Sequence, residues 1–294
     1  MSAPPQTVRD VSAVDPAPST TELSRAIDQA LDVLAVRPLV VLTGAGLSTD
    51  SGIPDYRGPG SVPRQPMTFQ EFRSGPAARQ RYWARVHVGF GKFSVAGPND
   101  GHRSLARLDP DLLITQNVDG LHEEAGQRRL VALHGRIADV ICLDCRSTSS
   151  RAALEQRLAH LNPGWRDAHN DLVLRPDGDV ELTDTAGFVV PACETCGGVL
   201  KPGVVFFGEN VPVPRVERCY AAIDALTGSG GALLVAGSSL TVMSGLRFVR
   251  RAAKSGTPVV IANRGGTRGD PLAAYRLEVG CSEFLTALAD RRAS

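Results

Sequence analysis

Five short, uninterrupted apolar runs, each bounded by Gly, Pro, Asn or Asp, constrain this chain more than any other feature. They are PLVVLT at 38–43, LLIT at 112–115, VVFF at 204–207, ALLVA at 232–236 and PVVIA at 258–262. A strand with one wet face alternates apolar and polar residues, whereas a strand covered on both faces reads as a continuous apolar run. The runs therefore predict a parallel sheet with helices on both sides. Helical stretches supply those layers. Thr21 can cap a helix with Leu23, Ile27, Leu31 and Leu34 at helical spacing, ending near Pro38. Residues 214–227, closed by Gly228, and 243–254, closed by Ser255-Gly256, read the same way. The recurring strand-helix-strand pattern predicts an α/β fold with a doubly wound, mainly parallel, Rossmann-like sheet.

Two stretches interrupt that pattern. Residues 57–99 are not sheet-like; Gly58, Pro59, Gly60 and Pro63 make a loop ahead of a helical segment around 76–88. Between 137 and 200, Cys142-Leu-Asp-Cys145 and Cys193-Glu-Thr-Cys196 bracket a polar stretch with little apolar periodicity. A two-residue spacer lets both thiolates of a pair reach one ion, and two pairs complete the closed tetrahedral shell of a structural zinc. A disulfide is disfavoured in a reducing compartment, and a redox CxxC needs no second copy. The intervening residues 146–192 exceed the spacer of a compact zinc ribbon, so the ion ties down an insertion. The predicted organisation is a disordered tail at 1–20, rich in Pro, Ala, Ser and Thr, then a large α/β domain from 21–136 and 201–294, with a zinc-binding module at 137–200. Cys219 reads as a small buried apolar residue.

With 43% hydrophobic residues, 21% charged residues and a net charge of +1, the composition is that of an ordinary globular protein. A strongly basic balance would have pointed to nucleic acid, and near-neutrality does not. No apolar run approaches the ~20 residues of a membrane span, and the start lacks a secretory signature, so a cytoplasmic setting without a membrane partner is expected. Lysine occurs only at 92, 201 and 254 against many arginines, the bias of a GC-rich, bacterial coding sequence.

Directly after PLVVLT comes Gly44-Ala45-Gly46, leading to Gly52-Ile53-Pro-Asp55-Tyr56-Arg57. A strand followed by a glycine turn brings backbone N–H groups close to a phosphate. Thr49 stands where the third glycine of the dinucleotide fingerprint belongs, and no acidic residue follows at a strand end about twenty positions on. The loop is therefore not that of a standard Rossmann dehydrogenase. Two further segments add specificity: Thr115-Gln116-Asn117-Val118-Asp119-Gly120-Leu121-His122 and Leu133-His134-Gly135. With both CxxC pairs, LKPGVVFFGEN, Gly237-Ser238-Ser239 and Asn263, this set resembles the sirtuins, the NAD-dependent protein-lysine deacylases, from about residue 35 to 290. RQRYWAR at 79–85, DYR at 55–57 and the long insertion between the CxxC pairs resemble the class II sirtuins, the group containing the fourth human sirtuin.

The resemblance implies that NAD lies at the C-terminal edge of the sheet, within a Rossmann-like NAD-binding domain whose residues 57–99 form the cofactor loop and a helical part. It further implies that acyl-lysine of a protein substrate enters between that domain and the zinc module. The acyl oxygen attacks the ribose C1′ as nicotinamide leaves. His134 then acts as general base on the ribose hydroxyls, and water completes release of deacylated lysine and 2′-O-acyl-ADP-ribose. Imidazole suits the role because its ordinary pKa lies near working pH. By the same correspondence Asn117 and Gln116 orient the nicotinamide ribose, and Asp119 holds the carboxamide with the backbone at Ile53. Gly44, Ala45 and Gly46 face the pyrophosphate beside Asp55 and Arg57, and Tyr56 covers C1′. Gly237, Ser238, Ser239, Asn263, Arg264, Gly265 and the region of Cys281 line the adenosine half. Val205 and Phe207 lie where the substrate peptide adds as a strand. Tyr82 and Arg85 form a YxxR pair similar to the one that grips an acidic acyl tail in desuccinylating sirtuins; the alternative is an amphipathic helix with solvated arginines. Rival readings are a mono-ADP-ribosyltransferase, a lipoamidase-type deacylase, a zinc-bearing NAD sensor without turnover, and a nucleic-acid-binding zinc module.

Overall fold

The computed structural model describes residues 20–55, 66–93, 95–169, 180, 182 and 184–294. The first nineteen residues of the predicted tail lie outside the described residues, whereas Thr20 already belongs to helix α1 (Thr20–Ala35).

Among the described residues, six parallel strands form the main sheet. They are β1 (Leu39–Thr43), β2 (Leu112–Thr115), β3 (Leu130–Ala132), and, after a second sheet, β7 (Ala232–Ala236), β8 (Val259–Ala262) and β9 (Tyr275–Leu277). Their order is β3-β2-β1-β7-β8-β9. The continuous apolar runs have a direct cause. In β1, Leu39 and Val41 join a core with α1 and α9 (Cys281–Ala293), while Val40 and Leu42 join an opposite core with α7 (Val213–Ser229) and α8 (Met243–Lys254). Successive side chains point to opposite faces, so a strand covered on both must be apolar throughout. Helix α7 outlasts its expected end, closing at Gly230 rather than Gly228.

VVFF at 204–207 corrects the expectation that it adds to the parallel sheet. The strand there is β6 (Leu200–Val204), and it pairs antiparallel with β4 (Gly135–Cys142), whose other edge holds β5 (Thr148–Ser150). This separate three-stranded sheet crosses both predicted borders of the 137–200 module, since β4 begins at Gly135 and β6 ends at Val204. Nor is the preceding helical region an appendage of the large domain. Helix α3 (Pro76–Phe93) runs five residues past its expected end at 88. It packs Trp83, Ala84 and Val86 against Val140, Cys142 and, on α6 (Arg151–Leu161), Leu154 and Leu158. The fully buried Arg151 is held there by Glu155, its guanidinium 5.0 Å from the Trp83 ring, and His87 Nδ1 sits 2.6 Å from Glu155. A buried charge persists only when paired in this way.

Candidate active site

The chain runs from β1 to one side of the sheet and later returns through β7 on the other, so β1 and β7 flank a topological switch point. Outside the C-terminal ends of such strands lies the crevice where open α/β sheets bind ligands. A cleft of about 550 Å³ occupies that position. Its walls come from the turns after β1, β2, β7 and β8, and it extends to the second sheet along Val204–Val211.

The glycines of the first turn serve the meeting of two turns before they serve a ligand. A Cβ on Gly44 would stand 2.7 Å from the Gly237 carbonyl oxygen, and one on Gly46 would stand 3.0 Å from it. Gly46 N–H donates to that same oxygen at 2.9 Å. Backbones packed this closely leave no room for a side chain between the two turns.

The turn after β2 is tied to the glycine turn by side chains. Asn117 Nδ2 donates to the Gly44 carbonyl and to Ser48 Oγ, both at 3.0 Å. Ser48 Oγ donates to Asp119 Oδ2 at 2.7 Å, and Leu121 N–H donates to Asp119 Oδ1. Burial pushes the Asp119 carboxyl up from its ordinary value, and those two donors oppose the shift. Gln116 Nε2 donates to Ser238 Oγ at 2.7 Å, linking the turns after β2 and β7.

His134 stands between the two sheets, just before β4. Gly135 follows it at φ +83°, with a hypothetical Cβ 2.0 Å from the Gly203 carbonyl oxygen, so the LHG segment needs glycine for the chain to cross β6 there. His134 Nδ1 lies 3.0 Å from the Gln116 carbonyl oxygen and Nε2 lies 2.8 Å from Ser244 Oγ. A carbonyl only accepts, so Nδ1 carries the proton, and the Nε2 lone pair accepts from the Ser244 hydroxyl. Burial lowers the imidazole pKa from its ordinary value; the Gln116 carbonyl opposes that shift and Arg215 adds to it. The ring is thus neutral, in one tautomer, with its basic nitrogen on the cleft side.

Of the residues singled out in the sequence, Gly44, Ala45, Gly46, Ile53, Asp55, Gln116, Asn117, Asp119, His134, Gly237, Ser238, Ser239, Asn263, Arg264 and Gly265 line this cleft, as do Val205, Phe207 and Tyr82. Tyr56 and Arg57 lie outside the described residues. Two others stand elsewhere. Cys281 opens α9, buried beneath β8 with its thiol 3.7 Å from the Ala262 carbonyl, because the helix start packs into the core. Arg85 Nε donates to the Val180 carbonyl at 2.9 Å, away from the cleft wall, while Tyr82 packs edge-on against Phe72 and lies 5.2 Å from Phe206. The pair that the sequence brackets as YxxR is therefore divided between two surroundings.

The sequence reading missed three contributors. Ser244 reaches His134 from the first turn of α8 and carries no motif of its own. Leu240–Met243 line the same cleft as Val205–Phe207. Lys201, 3% exposed, pairs with Glu209 at 3.0 Å and donates to the Pro202 and Val204 carbonyls, and Glu209 accepts from Phe206 N–H. That clasp fixes the segment after β6 from behind. The KP and GE bracketing VVFF are its one trace in the sequence.

The four cysteines converge as their spacing requires. Their sulfurs all lie within 4.8 Å of one another, with Cys142–Cys196 at 3.6 Å and Cys145–Cys193 at 3.9 Å. A tetrahedral zinc-thiolate shell has sulfur–sulfur edges of about 3.8 Å. These residues fit one zinc ion with no open position, and none of the four lines the cleft.

A Sir2 family model matches residues 44–244, spanning the glycine turn, both CxxC pairs and the start of α8. The chain belongs to the Sir2 family. Its relatives in that family include NAD-dependent protein deacetylase 1 of Mycobacterium avium (strain 104), 54% identical over 88% of this chain and 93% of the relative. The protein of the same name from Streptomyces coelicolor is 50% identical over 93% of this chain and 91% of its own. Among solved structures, the one described as "Sir2-p53 peptide-NAD+" superposes with a TM-score of 0.68 at 29% identity, covering 88% of this chain and 95% of that one. The structure described as "Structural Basis for the Mechanism and Regulation of Sir2 Enzymes" gives 0.70 at 26% identity, covering 92% and 98%. Among the described residues of this Sir2-family chain, no helix is long and apolar enough to cross a membrane.

Proposed function

We infer that this chain is an NAD-dependent protein-lysine deacylase, with His134 as general base. The observation that carries the reading is the state of His134: a buried, neutral imidazole with Nδ1–H committed to a carbonyl and Nε2 turned to a cleft at the switch point. Bound NAD supplies an electrophilic ribose carbon and nicotinamide as its leaving group. The chain's residues supply the surroundings. The turns at Gly44–Gly46, Gly237–Ser239 and Asn263–Gly265 offer backbone and hydroxyl donors for phosphates and riboses, Asn117 and Gln116 fix the floor, and Asp119 faces the carboxamide. His134 Nε2 takes the ribose hydroxyl proton, and a general base in this position contributes typically 10²- to 10⁴-fold. Val205 and Phe207 pair with the substrate backbone.

The separate sheet, the four-sulfur cluster and the packing of α3 against them support an inserted zinc module that takes in Gly135–Val204 and α3, beside an NAD-binding domain built on the six-stranded sheet. Four cysteines gathered for zinc, with Cys219 and Cys281 single and buried, support a reducing, cytoplasmic setting. Incubation with NAD and an acetyl-lysine peptide should give nicotinamide and deacylated peptide in equal amounts over many turnovers. His134→Ala should stop that turnover, releasing no deacylated peptide and at most about one equivalent of nicotinamide per chain, because nicotinamide leaves before the base acts. ADP-ribose left covalently on protein, with the peptide still acylated, would establish the transferase reading instead. A panel adding succinyl, lipoyl and branched acyl peptides reads the acyl preference; turnover of acidic acyl peptides abolished in Arg85→Ala would restore Arg85 to that role.

A further inference from the structure

Helix α8 turns two different faces outward and inward. Ser244, Gly245, Leu246, Phe248, Val249 and Ala252 are buried against the sheet, which leaves Met243, Arg247, Arg250, Arg251 and Lys254 on the outer side. From Arg247 the spacing i, i+3, i+4, i+7 places four cations on one stripe about 10 Å long. The helix contains no acidic residue. Arg251 is paired with Asp224 at 2.7 Å, whereas among the described residues no carboxylate pairs with Arg247, Arg250 or Lys254. In a chain whose net charge is +1, this is a local concentration of unbalanced charge.

The stripe begins inside the site. Arg247 and Met243 line the cleft, and the half-exposed Met243 and Phe207 form its rim. Lys254 lies two turns farther out. An extended peptide rises about 3.3 Å per residue, so the stripe matches about three residues of a chain leaving the cleft. We propose that the outer face of α8, through Arg247, Arg250 and Lys254, docks acidic residues flanking the acyl-lysine of protein substrates, a reading that rests on the deacylase assignment. The lysine enters the cleft while carboxylates two to five residues away meet the guanidinium and ammonium groups. Charge complementarity of this kind raises encounter rates and selects partners more than it adds raw affinity. A stripe only about 10 Å long that leads into the cleft favours a peptide over a nucleic acid, whose backbone would gain nothing from that continuity.

The test uses the full chain and labelled acetyl-lysine peptides flanked by Asp and Glu, by Ala and Gln, or by Lys and Arg. Binding is read by fluorescence anisotropy without NAD, and KM and kcat with it. The acidic peptide should bind about three- to tenfold tighter than the neutral one, since each exposed pair is individually weak. That advantage should fade at about 0.5 M salt. In the double variant R250E/K254E, both positions outside the cleft, it should vanish while the neutral peptide keeps its KM and kcat. Equal binding of acidic and neutral peptides, persistence of the advantage in the double variant, or tighter binding of duplex DNA than of the acidic peptide would each overturn the proposal. Charge-dependent binding without turnover of any peptide would instead overturn the deacylase assignment and leave the docking face established.

Discussion

His134 owes its chemical state to three neighbours rather than to its own type. Burial excludes the imidazolium, the Gln116 carbonyl fixes the tautomer, and Ser244 holds Nε2. Because the pKa is lowered, His134 stays basic as pH falls past the ordinary imidazole range. The acid limb of kcat/KM for an acyl peptide should therefore lie below pH 6.5. Ser244→Ala removes one of the ring's two anchors at a cost near that of one hydrogen bond, about 1 kcal/mol, or roughly a fivefold loss of kcat. The acid limb should move upward at the same time, and Ser244→Thr, which keeps the hydroxyl, should restore both. An unchanged pH profile in Ser244→Ala would show that the contact is incidental. His134 was legible from its LHG and QNVD neighbours. Ser244 was not, because a serine in a helix's first turn is an ordinary cap-region residue and its partner lies far away in the sequence.

Two short elements beside the cleft depend on histidines being neutral. His102 on α4 (Asp100–Leu108) and His122 on α5 (Leu121–Glu124) stack edge to face with ring centroids 4.7 Å apart. His122 Nε2 lies 3.0 Å from Thr43 Oγ1 at the end of β1. Burial lowers His102 to about 4, with Arg103 adding to the shift, and lowers His122 well below its ordinary value. Both are free to protonate when unfolded, so the unfolded chain binds more protons below the unperturbed value, and stability must fall as pH drops. The loss begins near pH 6.5 and continues toward pH 4, on the order of 3 kcal/mol for His102 alone. Urea midpoints at pH 7.5, 6 and 5 should decline steeply, and less so in His102→Gln; identical midpoints across that range would contradict the assignment. At this scale the sequence was legible where periodicity acts locally, in β1, β2, β7, β8, α1 and α8. It misplaced 204–207, because a continuous apolar run has the same appearance in a parallel core strand and in a segment that leaves a small antiparallel sheet to line a cleft.

At the scale of the whole molecule, the second sheet has three strands among the described residues, and the four-cysteine cluster lies against its small core with Trp83, Leu154 and Leu158. Metal binding is folding free energy in a module of this kind. One zinc per chain is expected by elemental analysis. Its removal by a chelator, or Cys193→Ala, should lower the melting temperature and loosen Val205–Phe207, with loss of peptide turnover, although no cysteine touches the cleft. Full metal content in Cys193→Ala would contradict the site. Sequence alone determined the doubly wound α/β class, the zinc ligands and the family, because strand periodicity, CxxC spacing and contiguous motifs are each properties of a short stretch of chain. Tertiary structure decided what no stretch contains: that α3 packs with the zinc module, that Arg85 and Cys281 leave the cleft wall, that Ser244 meets His134, and that one face of α8 carries its unpaired cations out from the site. Those facts depend on packing between segments distant along the chain, where contact is set by burial and pairing of charge rather than by order in the sequence.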